Sequence, residues 1–133
     1  MKISTKGRYA LRLMLDLACN DKGGAIALRD VSARQGISVK YLEQIVGPLC
    51  KAGLLKSVRG AAGGYRLTRA PEGYPLGEVL RVTEGELVPV ACLEPGASPC
   101  ERVEDCPTLP FWQGLQEAIG RYVDSVTLKD LMQ

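Results

Sequence analysis

The sequence contains no histidine, one tryptophan and one phenylalanine among its 133 residues. Without histidine, the side chain most often used for acid–base catalysis near neutral pH is missing. There is also no nucleotide-binding glycine loop and no evident pair of catalytic acids. We therefore expect a protein that is not an enzyme.

Long apolar runs are missing too. No segment approaches the roughly 18 residues that a membrane-spanning helix needs, and the polar, basic start is not followed by the apolar stretch of a signal peptide. These absences predict a cytoplasmic protein with no membrane association, in which thiols stay reduced. The length predicts one domain, or one small domain with an extension.

Positive and negative charges are segregated along the chain. Residues 1–71 carry 13 Lys and Arg against 4 Asp and Glu, a net charge of +9. Residues 72–133 carry 4 Lys and Arg against 11 Asp and Glu, a net charge of −7. A basic half beside an acidic half is typical of a nucleic-acid-binding part joined to a part with another role.

The first half has the pattern of a helix-turn-helix. Leucines recur at helical spacing over residues 5–20, RDVSARQG predicts a second helix, and Gly36 is suited to a left-handed cap at its end. Ser38 is a good N-cap for a third helix. The core-facing residues of that helix are expected to be Val39, Leu42, Val46 and Leu49. Two helices joined by a short turn containing glycine are the signature of this motif.

A β-hairpin is predicted directly after the third helix. Two short alternating segments, near residues 55–59 and 65–68, are joined by the turn GAAGG. The expected fold is therefore a winged helix-turn-helix, mostly α with a small β-hairpin wing. Such proteins bind double-stranded DNA, commonly as symmetric dimers on palindromic operators, so we expect a homodimer located at the nucleoid.

The prolines and glycine of APEGYP, together with the change of charge, mark a boundary. We expect a DNA-binding domain at residues 1–71, and a sensor loop with a long dimerisation helix at residues 72–133. The apolar stripe of that helix is formed by Phe111, Leu115, Ile119, Tyr122 and Val126. This stripe must be covered, either by its own domain or by the same helix of a second chain, and we favour the second chain.

Three groups of residues are candidates for DNA contact. The start of the third helix offers Ser38, Lys40, Tyr41, Glu43 and Gln44, whose side chains suit base edges or phosphates. The wing offers Arg59, Gly60 and Arg66, with Arg69 expected on the same return strand as Arg66. The N-terminal arm offers Lys2 and Arg8, with Lys6 and Arg12 beside them. Glu43 is either a discriminator that accepts from cytosine or a member of a surface salt bridge. The wing glycines either allow close approach to DNA or only form a tight turn.

Three of the five cysteines, Cys92, Cys100 and Cys106, lie in one polar loop at residues 88–110. Thiolates select iron–sulfur clusters, zinc and copper(I) among common metals. The loop lacks the paired C-x2-C knuckles of structural zinc sites, so a cluster is favoured, with a thiol redox switch and zinc as alternatives. Cys19 and Cys50 lie within apolar helical patterns, and we expect both to pack in the core.

MKISTKGRYALRLMLDLA, the YLEQ segment followed by SVRGAAGGY, and the three-cysteine loop together resemble the IscR/NsrR/CymR family of bacterial winged helix-turn-helix transcription regulators. The resemblance covers essentially the whole chain. It implies homodimers whose long C-terminal helices cross between subunits, and recognition residues among those named above. Iron–sulfur members carry a cysteine triplet similar to this one, whereas cysteine-metabolism repressors lack it.

The resemblance leaves the fourth cluster ligand open. Where relatives place a histidine this chain has Leu109, and where others place an acid on the first helix it has Arg8. The remaining candidates are an exogenous small thiol or water, an acid from the partner subunit, and the loop acids Glu94, Glu101, Glu104 and Asp105. A [2Fe–2S] and a [4Fe–4S] cluster are both compatible with this donor set.

The expected function is that of a homodimeric repressor whose operator binding depends on an iron–sulfur cluster that senses redox state, nitric oxide or cluster supply. One alternative is a cysteine-metabolism repressor of the same family, which acts through thiols or a partner enzyme. The alternative from another class is a small iron–sulfur electron-transfer protein whose basic half docks an acidic partner.

Overall fold

The computed structural model describes all residues, 1–133, and contains six α-helices and one two-stranded antiparallel sheet. The helices are α1 (Thr5–Cys19), α2 (Leu28–Gln35), α3 (Val39–Lys51), α4 (Leu76–Glu84), α5 (Leu109–Ser125) and α6 (Leu128–Leu131). The strands are β1 (Leu55–Val58) and β2 (Gly64–Leu67), and short 3-10 turns lie at Pro71–Gly73 and Ala91–Leu93. The predicted fold class is confirmed. None of the helices combines the length and apolar character needed to span a bilayer.

The helix-turn-helix forms through local capping, as its sequence predicts. The Ser38 hydroxyl accepts a hydrogen bond from the Tyr41 amide at 3.1 Å, which satisfies one of the free amides at the start of α3. Gly36 ends α2 in the left-handed conformation, with φ 67°. These two residues set the turn that orients α3 against α2.

The core is formed mainly by α1, α3 and α4. Leu13, Met14 and Leu42 are fully buried within it. The expected core face of α3 needs one correction, because Val39 in its first turn is 37% exposed. Ile45 takes its place as a fully buried residue of α3. The buried face thus begins at Leu42, one turn later than the spacing predicted.

The core continues past residue 71, where the composition changes. Tyr74 is fully buried, and its hydroxyl donates to the Leu54 carbonyl (2.8 Å) while accepting from the amides of Thr68 (2.7 Å) and Arg69 (3.0 Å). Leu128 of α6 packs in the same cluster, and its amide donates to the Tyr74 carbonyl at 3.1 Å. Both halves of the chain therefore share one apolar core.

Helix α5 lies on α4 with one face and leaves the other face to solvent. It has no buried residue. Ion pairing between Arg81 of α4 and Asp124 of α5 (2.8 Å) holds the two helices together, and Gly77 allows close approach to Val123. The predicted apolar stripe of α5 therefore lies partly on the solvent face, where Phe111 is 65% exposed and Tyr122 is 71% exposed.

Replacing Tyr74 with phenylalanine is expected to lower the free energy of unfolding by about 1–3 kcal/mol, because the Leu54 carbonyl and two amides lose their buried partner. Urea denaturation followed by circular dichroism measures the loss. Tyr9→Phe is the matched control, since the Tyr9 ring packs on Tyr41 without anchoring the wing. Equal stabilities for the two variants would contradict the anchoring role of Tyr74.

Candidate DNA-binding surface and thiol cavity

The exposed face of α3 carries most of the residues that were predicted to read DNA. Lys40, Glu43 and Gln44 are exposed on the helix, and Ser38 is exposed at its cap. Glu43 takes part in none of the four ion pairs of the structure, so the salt-bridge interpretation of this residue has no support. Its carboxylate is therefore free to accept a hydrogen bond from a base.

Tyr41 differs from the other residues of this face because it is half-buried. Its ring meets that of Tyr9 edge-on, with centroids 5.5 Å apart, and the Arg12 guanidinium lies 5.2 Å from the Tyr9 centroid. Arg12 also donates to Gln35 at the end of α2. Tyr41 and Arg12 therefore join α1, α2 and α3, and only part of the Tyr41 side chain is open to a ligand.

The wing places two basic side chains on one face. Lys56 of β1 lies directly opposite Arg66 of β2 in the antiparallel register, so their side chains share a face of the hairpin. Like charges in this position repel each other unless an anion lies between them. Arg59 follows β1 and is exposed at the wing tip with Gly60. Lys56 was missing from the sequence-based set, although strand alternation places it beside Arg66.

Backbone packing accounts for part of the glycine content of the wing. Gly64 has φ 148°, and a Cβ at this position would overlap the carbonyl of Ile26. The close approach arises because the Ile26 and Tyr65 backbones exchange hydrogen bonds of 3.0 and 2.9 Å. Packing on the Ile26 backbone therefore accounts for Gly64 without any contact with DNA, whereas Gly60 has open space around it.

Arg69 does not extend the basic surface of the wing. It lies beyond the end of β2, and its guanidinium pairs with Glu78 of α4 through bonds of 2.7 and 2.9 Å. The hydrogen bond with Arg69, the main cause, holds the pKa of Glu78 below its ordinary value. The expectation that Arg69 belongs with Arg59 and Arg66 is therefore wrong, because Arg69 fastens the wing to α4.

The two candidates of the N-terminal arm have different surroundings. Arg8 is exposed on α1 and donates to the Thr5 hydroxyl at 3.2 Å. Lys2 lines a cavity of about 200 Å³ together with the acidic residues Glu84, Glu86 and Glu94. Arg8 is thus available to a phosphate, whereas Lys2 lies among carboxylates that compete for its charge.

The three cysteines of the loop line one cavity. Cys92, Cys100 and Cys106 surround a space of about 160 Å³ between the 3-10 turn, the loop and the first turn of α5. No three His, Cys, Asp or Glu side chains lie close enough to hold a single metal ion. Sulfurs bound to one ion at about 2.3 Å each would have to lie within about 4.6 Å of one another. The donor set therefore does not suit a lone ion, and a cluster held here would have to be ligated by the three sulfurs around the cavity.

Hydrogen bonding favours the thiolate form of one of the three cysteines. The Cys106 sulfur lies 3.5 Å from the Thr108 hydroxyl. This hydrogen bond, followed by those from the backbone amides of Thr108 and Leu109, lowers the pKa of Cys106. Since the thiolate is the form that binds metals and attacks disulfides, these hydrogen bonds favour the reactive form of Cys106.

The other two cysteines are separate from this cavity. Cys50 packs against the core as expected, and burial raises the pKa of its thiol. Cys19 is exposed at the end of α1, so the expectation that it packs in the core is wrong. The apolar pattern of α1 ends at Ala18, one residue before Cys19.

No acidic side chain lines the thiol cavity. The loop acids expected as possible fourth ligands, Glu94, Glu101, Glu104 and Asp105, are all exposed to solvent outside it. The polar side chains at the cavity other than the cysteines are those of Ser98 and Gln113. Neither residue was among the sequence-based candidates, because Gln113 follows Cys106 only after a further stretch of loop and the start of α5.

A helix-turn-helix followed by a β-hairpin wing defines the chain as a winged helix-turn-helix DNA-binding protein. The model of the Rrf2 family, described as an iron-dependent transcriptional regulator, matches residues 3–133. The chain belongs to the Rrf2 family of transcription regulators, which are not enzymes.

Two curated relatives and one solved structure illustrate the range of the family. The chain is 42% identical to the regulator CymR of Bacillus subtilis, covering 98% of this chain and 89% of the relative. It is 40% identical to the regulator IscR of Aliivibrio salmonicida, covering 99% of this chain and 77% of the relative. The structure of CymR, the global cysteine regulator of B. subtilis, is similar with a TM-score of 0.79 and 41% identity, covering 98% of this chain and 95% of that one. The resemblance to IscR and CymR is confirmed, but it does not distinguish cluster sensing from cysteine regulation.

Replacing Thr108 with valine is expected to slow alkylation of Cys106 near pH 7, because loss of the hydroxyl raises the pKa of this thiol and lowers its thiolate fraction. Iodoacetamide labelling of reduced, metal-free protein across a pH series, quantified by peptide mass spectrometry, measures the effect. Ser98→Ala removes a cavity hydroxyl that does not bond to Cys106 and serves as the control. An unmoved pH profile in Thr108→Val would refute this cause.

Proposed function

We propose that the protein is a homodimeric transcription repressor whose operator binding is controlled by an iron–sulfur cluster held by Cys92, Cys100 and Cys106. The observation that carries the proposal is that these three thiols line one cavity. The names of the IscR relatives and the description of the family as iron-dependent add support. The sensed condition would be redox state, nitric oxide or cluster supply.

Residues 1–71 would supply the DNA-binding part. Lys40 and Gln44 would enter the major groove from α3, while Ser38 would bind a phosphate or base at the helix start. Arg59 and the pair of Lys56 and Arg66 would contact the backbone or minor groove through the wing. The opposed like charges of that pair support an anionic partner, because DNA phosphate would relieve their repulsion.

Residues 72–133 would supply the sensor loop and the dimer contact. The outward face of α5 carries Phe111, Leu115 and Tyr122, of which even the least exposed, Leu115, is 36% exposed. Large apolar side chains in a row at helical spacing are costly to leave in water. Pairing of α5 with its copy would cover them and place two α3 helices on a palindromic operator.

The loop lies where it can influence the DNA-binding part. It begins just after α4, which packs on α1, and it ends at α5, which packs on α4. A bound cluster would supply a redox-sensitive connection among the three thiols. Among the chain's own residues, Cys106 would offer a thiolate as a ligand. Helices α4 and α5 would transmit the position of the loop to α1. Only a difference in operator affinity between the two loop states can produce regulation.

A second candidate is a cysteine-metabolism repressor that responds through thiol chemistry or a partner enzyme. The relative named CymR and the solved CymR structure, a global cysteine regulator, favour this function. The lowered pKa of Cys106 supports it as well, since a reactive thiol in a loop suits oxidation. Cluster uptake by the isolated protein decides between the two candidates.

Cys100→Ala is expected to abolish the visible iron–sulfur absorbance after anaerobic reconstitution, because one of three ligating thiols is removed. Iron and sulfide counts with an absorbance spectrum measure the loss, and size-exclusion chromatography checks that a folded dimer remains. Cys19→Ala, which removes an exposed thiol outside the cavity, should keep the absorbance. Retained absorbance in Cys100→Ala would overturn the ligand assignment.

Arg59→Ala is expected to weaken DNA binding by about 1–3 kcal/mol if the side chain reads a base edge, or to lower the salt slope by about 1 if it contacts a phosphate. Fluorescence anisotropy with DNA from upstream of the protein's own gene, at several salt concentrations, separates these outcomes. Arg121→Ala on α5 is the control for a lost surface charge. Unchanged affinity and salt slope would mean that the wing stays off the duplex.

A further inference from the structure

The thiol cavity supplies three sulfurs, but an iron–sulfur cluster held by one protomer generally needs four outer ligands. Histidine cannot be the fourth, since the chain has none. None of the four loop acids lines the cavity. The remaining side-chain donors at the cavity are the Ser98 hydroxyl and the Gln113 amide, because the other lining residues besides the cysteines carry no side-chain oxygen or nitrogen.

Gln113 is better placed than Ser98 to hold iron. It lies on α5, four residues after Leu109, so both side chains are on the same face of the helix and both line the cavity. A helix fixes the position of a ligand more firmly than a loop does. Ser98 lies in the loop only two residues before Cys100, and a protonated hydroxyl is a poor donor to iron.

We propose that the side-chain amide oxygen of Gln113 is the fourth, exchangeable ligand of the cluster, an inference that rests on the proposed function. The amide oxygen is neutral, so it binds iron more weakly than a thiolate or carboxylate and adds no charge to the three sulfurs. Gln113 would therefore be the ligand that water, a small thiol or nitric oxide could displace. Since Gln113 belongs to α5, such a displacement would act where the cavity meets this helix.

The position of Gln113 also connects this ligand to the rest of the protomer. Helix α5 is joined to α4 by the pair of Arg81 and Asp124, and α4 packs on α1 of the DNA-binding part. Displacement of Gln113 would remove one link between α5 and a cluster held by the cysteines of the loop. The exchange of one weak ligand would thereby loosen the attachment of the loop to a rigid helix.

The test compares Gln113→Ala, Gln113→Glu and Gln116→Ala after anaerobic reconstitution of the full-length chain. Gln116 is the matched control, because it lies three residues further along α5 and does not line the cavity. The readouts are iron and sulfide per protomer, the visible circular dichroism spectrum, the rate of bleaching in air and the midpoint reduction potential. None of these depends on DNA binding.

Gln113→Ala is expected to take up a cluster on its three thiols, with an altered visible dichroism and bleaching about tenfold faster or more, in line with the roughly 10–100-fold cost of losing a supporting group at a metal site. Gln113→Glu keeps a side-chain oxygen at the same distance from the helix backbone. The rate of bleaching should therefore return to the wild-type value or fall below it. Its added negative charge should lower the midpoint potential. Gln116→Ala should match the wild type.

The test distinguishes failure of the Gln113 assignment from failure of the proposed function. If the wild type takes up a cluster and Gln113→Ala has the same dichroism and bleaching rate, Gln113 is not a ligand, while the proposed function stands. If the wild type takes up no iron and sulfide, the cluster proposal and the inference fall together. A Gln113→Glu variant that bleaches as fast as Gln113→Ala would also count against ligation by this side chain.

Discussion

The carboxylate of Glu84 joins the end of α4 to the start of α1, and the positions of both functional parts depend on it. It accepts hydrogen bonds from the backbone amides of Ser4 (3.0 Å) and Gly7 (3.1 Å), and from the Ser4 hydroxyl. A negative charge at this place also complements the positive end of the α1 dipole. Gly7 makes the contact possible, because a Cβ there would overlap the carboxylate oxygen.

This junction lies between the basic arm and the cysteine loop. Residues 1–3 share a cavity with Glu86 and with Glu94, which is two residues beyond Cys92. The negative charges of that cavity attract the positive charge of Lys2. The arm and the start of the cysteine loop therefore share one electrostatic environment within the protomer.

Sequence patterns predicted the fold well wherever local chemistry determines it. The caps at Ser38 and Gly36 and the hairpin were visible because capping and turn residues act over a few positions. Residues whose role depends on distant partners were misjudged. Arg69 was placed on the DNA surface, but its charge is taken up by Glu78 on another helix. Similarly, the spacing of cysteines indicated a thiol site, whereas the exclusion of the loop acids and the inclusion of Gln113 depend on how the loop meets α5.

The fold alone cannot decide between a cluster and a thiol switch, because relatives named IscR and CymR share it. Our proposal of a cluster rests on the arrangement of sulfur in the cavity. A disulfide uses two sulfurs and requires their Cα atoms to lie about 4.4–6.8 Å apart, which would leave the third thiol of this cavity without a role. An inorganic core uses all three at once. A cluster would also give a role to the hydrogen bonds that favour the thiolate of Cys106. Its iron would balance the negative charge of ligating thiolates, at a cavity whose lining includes no basic side chain.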